Sequence, residues 1–153
     1  MADYIKPVVF KIEGQLFGVD INAVQSIEKQ ISIVPVPNST AYIKGIVNLR
    51  GEVIPVYSLK RKFHMKDESY IDGSIIINTG VVKLALEVDE VMEIGDINGE
   101  DIVDMPSIIN SDDTRFMDRV AHAGQDLIIL LDVEKLLTAQ EAENIKKMTE
   151  DMQ

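Results

Sequence analysis

The residues of this chain best suited to chemistry are two histidines and a large set of carboxylates, and their spacing does not assemble a reaction centre. His64 and His122 stand apart from the second histidine or carboxylate at ligand spacing that a zinc ion or a nucleophilic relay needs, so each reads as structural or solvated. Asp112-Asp113 and Glu87-Val88-Asp89-Glu90 set carboxylates side by side, the raw material of an acid/base pair or a divalent-cation site. Where 27% of residues are charged and the net charge is -11, such neighbours more simply keep a surface hydrated. No glycine-rich loop leads into a helix with Lys-Ser/Thr, and neither a dinucleotide fingerprint nor a serine elbow is present. The chain has no cysteine, which removes thiolate nucleophiles, thiolate metal sites and disulfides. The expectation is a binding module without catalysis, metal or cofactor.

The net charge of -11 repels nucleic-acid backbones and anionic lipid surfaces. One basic run, Lys60-Arg61-Lys62-Phe63-His64-Met65-Lys66, could oppose it locally, but a short run of this kind is ordinarily a solvated turn or helix face. The N-terminal residues 1–7 lack the apolar core of a secretion signal, and no apolar run approaches the roughly 20 residues that span a bilayer. With cysteine absent, the expected location is the cytoplasm. Asn38-Ser39-Thr40 fits the glycosylation acceptor pattern, a chance match in a chain with no route to secretion.

The elements that would position any site are short β-rich runs broken by turn residues. Residues 8–13 and 16–20 flank Gly14-Gln15 as a hairpin. Ile21, Val24 and Ile27 then fall at helical spacing for one short turn, and Pro35 and Pro37 force an extended connection. Residues 45–49 and 52–57 flank Arg50-Gly51 as two strands joined by a sharp turn, with Pro55 suggesting an edge or a barrel corner. After the polar Asp67-Glu68-Ser69, strands recur over residues 74–78, 83–88 and 91–94, with turn signals at Asn78-Thr79-Gly80 and Ile97-Asn98-Gly99. A last pair, 116–122 and 125–131, meets at Ala123-Gly124. Helical stretches do not separate the strands, which predicts an all-β barrel or sandwich. Thr138-Ala139-Gln140-Glu141 has the form of a capping box, and Ala142, Ile145, Met148 and Met152 line one face of the helix that would follow, a stripe read as core packing.

Residues 36–56, VPNSTAYIKGIVNLRGEVIPV, are very similar to the signature segment of CheW-like domains. Phe17-Gly18-Val19-Asp20-Ile21 with Val24, then Leu86-Glu87-Val88-Asp89-Glu90-Val91, then Leu127-Ile128-Ile129-Leu130-Leu131-Asp132 with Leu136-Leu137 follow in the family's order. The resemblance runs from Val8 to Leu137. It implies a single domain of two intertwined SH3-like β-barrels, about five strands each, over residues 8–65 and 70–137. It also implies room to exchange the first strand, and a C-terminal helix over 138–150.

As function, the resemblance implies an adaptor that couples methyl-accepting chemoreceptors, through their cytoplasmic hairpin tips, to the CheW-like regulatory domain of the histidine kinase CheA. It would lie at the inner face of the membrane without inserting. The chain ends after one such domain, so a stand-alone coupling protein is expected. Alternatives are a scaffold for a non-chemotactic array, separated only by its partners, and an acidic-site metal-dependent enzyme, which lacks a convergent acid, base and nucleophile.

The same resemblance places receptor- or kinase-binding positions at Arg50, Gly45, Val24, Ile27, Asn48, Gly51, Val88 and Asp89. Arg50, in a turn before Gly51, could clamp a partner's carboxylates, or could pin the two barrels together. Val24 and Ile27 could be contact or core, and Val88 and Asp89 could serve chiefly to shape their barrel. Ser26 stands where an acidic residue is common, Ser58 where Asp is common, Thr40 for a frequent Pro and Arg119 for a usual Gly. The last adds bulk and charge to the second barrel at that position.

Overall fold

The computed structural model describes residues 4–29, 31–36, 42–65, 73–92, 95–106 and 115–152. Pro37, residues 38–40, Lys66, residues 67–69, Glu93, Ile94, Asp112 and Asp113, and the side chain of Met152, lie outside the described set.

Among the described residues, fourteen strands and two α-helices follow in chain order: β1 (Tyr4–Ile5), β2 (Pro7–Ile12), β3 (Gln15–Asp20), β4 (Val24–Lys29), β5 (Val34–Pro35), β6 (Ile43–Leu49), β7 (Glu52–Tyr57), α1 (Leu59–Lys62), β8 (Gly73–Asn78), β9 (Lys83–Val88), β10 (Glu90–Val91), β11 (Ile97–Asn98), β12 (Ile102–Asp104), β13 (Met117–Ala123), β14 (Asp126–Leu131) and α2 (Ala139–Met152). One six-stranded sheet runs β10-β2-β3-β14-β13-β12 and a second runs β4-β8-β9-β7-β6-β5, while β1 pairs with β11. These sheets are the two SH3-like barrels.

The barrels do not divide near residues 65–70, as the expected spans 8–65 and 70–137 would require. The whole β2–β3 hairpin belongs with β13 and β14, so one barrel takes both ends of the chain and the other takes the middle, from β4 to β9. The join is the parallel pairing of β3 with β14, from Leu16↔Ile128 to Leu131↔Val19. Local pattern cannot announce a pairing across more than a hundred residues, which is why the boundary was misplaced.

Both faces of several strands are buried, which explains their continuous apolar runs. Ile75 and Ile77 on β8, Leu84, Leu86 and Val88 on β9, and Val8, Phe10 and Ile12 on β2 meet in a core shared by the barrels. Val9, Ala121, Ile128 and Leu130 fill the interior of one barrel, and Val47, Ile54, Val56, Ile76 and Ala85 fill the other. All four phenylalanines of the chain form one file through the shared core. Ring centroids lie 5.9 Å apart for Phe10–Phe17, 5.2 Å for Phe17–Phe63 and 5.8 Å for Phe63–Phe116. Each such pair contributes about 0.5–1.5 kcal/mol beyond its burial.

Several turns differ in detail from expectation. The first hairpin turns on Glu13-Gly14, with φ of 52° and 79°, rather than on Gly14-Gln15. The helical spacing after β3 resolves into a 3₁₀ turn, Ile21–Ala23, so Val24 and Ile27 belong to a strand. The capping box is present and reciprocal: Thr138 N–H donates to Glu141 Oε1 at 2.9 Å, and Glu141 N–H to Thr138 Oγ1 at 3.1 Å. Ala142 and Ile145 of α2 are buried in the shared core and Met148 packs against it, so the apolar stripe is packing.

Candidate functional site

The β6–β7 hairpin presents the residues singled out in the signature segment. Arg50 and Gly51 have φ of 53° and 87°, the two-residue type I′ pattern whose twist matches that of the flanking strands. Asn48 Oδ1 accepts the Gly51 N–H at 3.0 Å and ties the turn from within. This turn leaves Asn48, Arg50 and Gly51 at the surface.

Arg50 Nη2 lies 3.2 Å from Glu28 Oε1, with the arginine side chain 70% exposed and the glutamate 15%. Glu28 is on β4, in the same sheet as the hairpin, so the ion pair joins an edge strand to a turn of one barrel. It does not pin the two barrels to each other, which removes that alternative role for Arg50. On β4 the half-buried side chains are Val24, Ser26 and Glu28, while Gln25, Ile27 and Lys29 are exposed. Ser26, where an acidic residue is common in the family, therefore shares its side of the strand with the carboxylate that reaches Arg50.

The remaining predicted positions separate by burial. Val24 packs against the shared core, and Ile27 is 38% exposed. Gly45 is buried opposite Pro35 of β5, where a Cβ would strike the Val34 carbonyl oxygen and come within 2.8 Å of Ile33 Cγ2. Its glycine is needed for the close approach of β5. Val88 is fully buried in the shared core and offers no contact surface.

Asp89 is a clamp between the barrels. One carboxylate oxygen lies 2.7 Å from Lys60 Nζ at the start of α1, and the other accepts the Glu13 N–H of the β2–β3 turn at 2.8 Å. Lys60 also lies 3.4 Å from Glu13 Oε1. Burial pushes the Asp89 carboxyl upward, but the Lys60 ammonium and the Glu13 N–H outweigh it and hold the group below its ordinary value. Burial likewise disfavours the Lys60 charge, and the hydrogen bonds and attraction of Asp89 and Glu13 overcome that and raise it.

The basic run is absorbed into this framework. Ser58 caps α1 by accepting the Arg61 N–H at 3.2 Å, a role open to Asp as well, so that departure leaves the element intact. Lys62 Nζ sits 4.7 Å from the Tyr42 ring centroid and 5.3 Å from that of Phe116. Two of the run's cations are thus committed internally. Arg119 lies 3.2 Å from Asp118 and lines a groove of about 590 Å³ between the barrels, together with Asp20, Asn78 and Asp132. The family's usual glycine would leave this groove wider and uncharged at that point.

Sequence reasoning missed Glu28, Glu13 and Lys60. The alternation along β4 was a usable signal for Glu28, since it repeats the inward position of Ser26 one pleat later. Nothing local pairs Glu13 with Lys60 and Asp89. Among the described residues no group of three or more His, Cys, Asp or Glu could hold a metal ion, and no helix is long and apolar enough to cross a membrane.

Comparison with known proteins accords with this architecture. A family model described as CheW-like domain matches residues 6–141. The chemotaxis protein CheW of Treponema pallidum (strain Nichols) is 29% identical over 147 residues, 92% of this chain and 86% of that protein. Its counterpart in Thermotoga maritima is 28% identical over 141 residues, covering 90% and 92%. The crystal structure of the scaffolding protein TtCheW from Thermoanaerobacter tengcongensis superposes with a TM-score of 0.80 at 31% identity, over 91% of this chain and 96% of that one. These are names of chemotaxis scaffolds and not of enzymes. The chain belongs to the CheW-like domain family of chemotaxis adaptor and scaffold proteins.

Proposed function

We propose that this protein couples the cytoplasmic hairpin tips of methyl-accepting chemoreceptors to the histidine kinase CheA, docking on the kinase through its CheW-like regulatory domain. It works in the cytoplasm, beneath receptor arrays, without entering the bilayer. The observation that carries the reading is the display of Arg50: a planar cation 70% exposed at the tip of a rigid two-residue turn, in a chain of this family. Arginine in such a place can meet carboxylates or helix-terminal carbonyls of a helical hairpin edge-on. Asn48 and Gly51 supply neighbouring exposed positions on the turn, and Ile27 is exposed on β4. Gly45, Val24 and Val88 act from within by fixing strand and barrel geometry, and Asp89 does so as the clamp between the barrels. The negative net charge and the internal use of Lys60 and Lys62 weigh against a nucleic-acid partner.

The test is reconstitution. A receptor cytoplasmic fragment, purified CheA and this protein are mixed, and the sedimenting complex and kinase activity are measured. The expected result is a ternary complex whose kinase output depends on this protein. A protein that binds neither component at micromolar concentration contradicts the reading.

A further inference from the structure

A long arginine side chain at a turn tip is free to sample many rotamers, and ordering it on binding costs affinity. The structure supplies a group that restricts it. Glu28 is 15% exposed, held on the inward-facing side of β4, and its Oε1 lies 3.2 Å from Arg50 Nη2. β4 is one edge of its sheet, and the β6–β7 turn lies toward the other, so this contact crosses the line along which the sheet curls. One pleat away, the Ser26 hydroxyl is buried without a hydrogen-bond partner, so the carboxylate at this seam comes from position 28.

We propose that Glu28 is a positioning residue for partner binding: it holds one edge of the Arg50 guanidinium and leaves the rest of its fork turned toward the partner. The inference rests on the coupling role of Arg50 given above. A planar guanidinium can satisfy two acceptors on different edges at once, whereas an ammonium offers no such fixed fork. Glu28 therefore contributes to affinity through Arg50 and not by its own contact.

The experiment uses the full chain as wild type, Glu28→Gln, Arg50→Ala and the double variant. Each is titrated against a purified receptor cytoplasmic hairpin fragment and against the purified CheA regulatory domain, with a thermal melt of each protein. With Arg50 present, Glu28→Gln is expected to weaken binding about three- to tenfold; with Arg50→Ala it is expected to change nothing further. Melting temperatures should not follow the affinities. Equal weakening by Glu28→Gln in both backgrounds, or none in either while Arg50→Ala is weakened, overturns the positioning role alone. Unchanged binding by Arg50→Ala overturns the coupling role of this turn. Should Glu28→Gln fold poorly, Arg50→Lys serves instead: it keeps the charge and loses the fork, and is expected to bind more weakly at an unchanged melting temperature. Wild-type affinity with lysine refutes the proposal.

Discussion

Removing the Asp89 carboxylate tests the inter-barrel clamp. Asp89→Ala deletes two charge-assisted hydrogen bonds, 2.7 Å to Lys60 and 2.8 Å to the Glu13 N–H. Bonds of this kind contribute about 1.5–3 kcal/mol each when shielded. The Asp89 side chain is 35% exposed, so water and salt recover part of that, and the net loss should be about 2 kcal/mol. For a chain of this size it lowers the melting temperature by about 4–8 °C. The pH dependence follows from the two shifts. Asp89 is held below its ordinary 3.8, so its contribution is full above that value and is lost as pH falls through the lower folded value. Lys60 is raised above 10.5, so its contribution is full below that value and is lost as pH rises through the higher folded value. The mutant's deficit is therefore flat between about pH 5 and 9 and narrows at both extremes. Calorimetric melts of wild type and mutant across this range measure it. A mutant that melts within about 1 °C of wild type at neutral pH refutes the clamp.

Two further substitutions probe the frame around the site. Gly45→Ala, whose methyl would meet the β5 backbone at Val34, should destabilise by about 1–3 kcal/mol in urea titration, and a neutral result would mean that β5 yields easily. Thr138→Ala removes half of the reciprocal cap of α2 and should cost about 1 kcal/mol in the same assay; no measurable loss would show the helix to be held by core packing alone.

How much could be read beforehand follows from how far apart the interacting residues lie. The Arg50-Gly51 turn and the Thr138 cap are local, set by φ preferences and capping chemistry, and they were legible; the alternation of β4 is equally local but was masked, because Ile21, Val24 and Ile27 also fit a helical spacing. The assignment of the β2–β3 hairpin to the barrel of β14 was not, because it depends on a parallel pairing between Phe17 and Ile129 that no local rule encodes. The resemblance set Val88 and Gly45 among the receptor- or kinase-binding positions, whereas the constraint each shows in the structure is internal: a shared core for one and a close backbone approach for the other. The basic run looked like a surface patch because its composition carries no sign that Lys60 faces Asp89 or that Lys62 lies over two rings.

The most direct test of the account is the Arg50→Ala variant, measured at once for stability and for affinity toward the receptor fragment and the kinase regulatory domain. Its side chain is largely exposed and paired within one barrel, so truncation should cost no more than about 0.5 kcal/mol of stability. Loss of charge-assisted bonds across an interface should weaken binding by roughly 1.5–3 kcal/mol, about ten- to a hundredfold. The predicted result is a nearly unchanged melting temperature with that loss of affinity; a large fall in melting temperature with unchanged affinity would contradict it and make Arg50 a strut of its barrel.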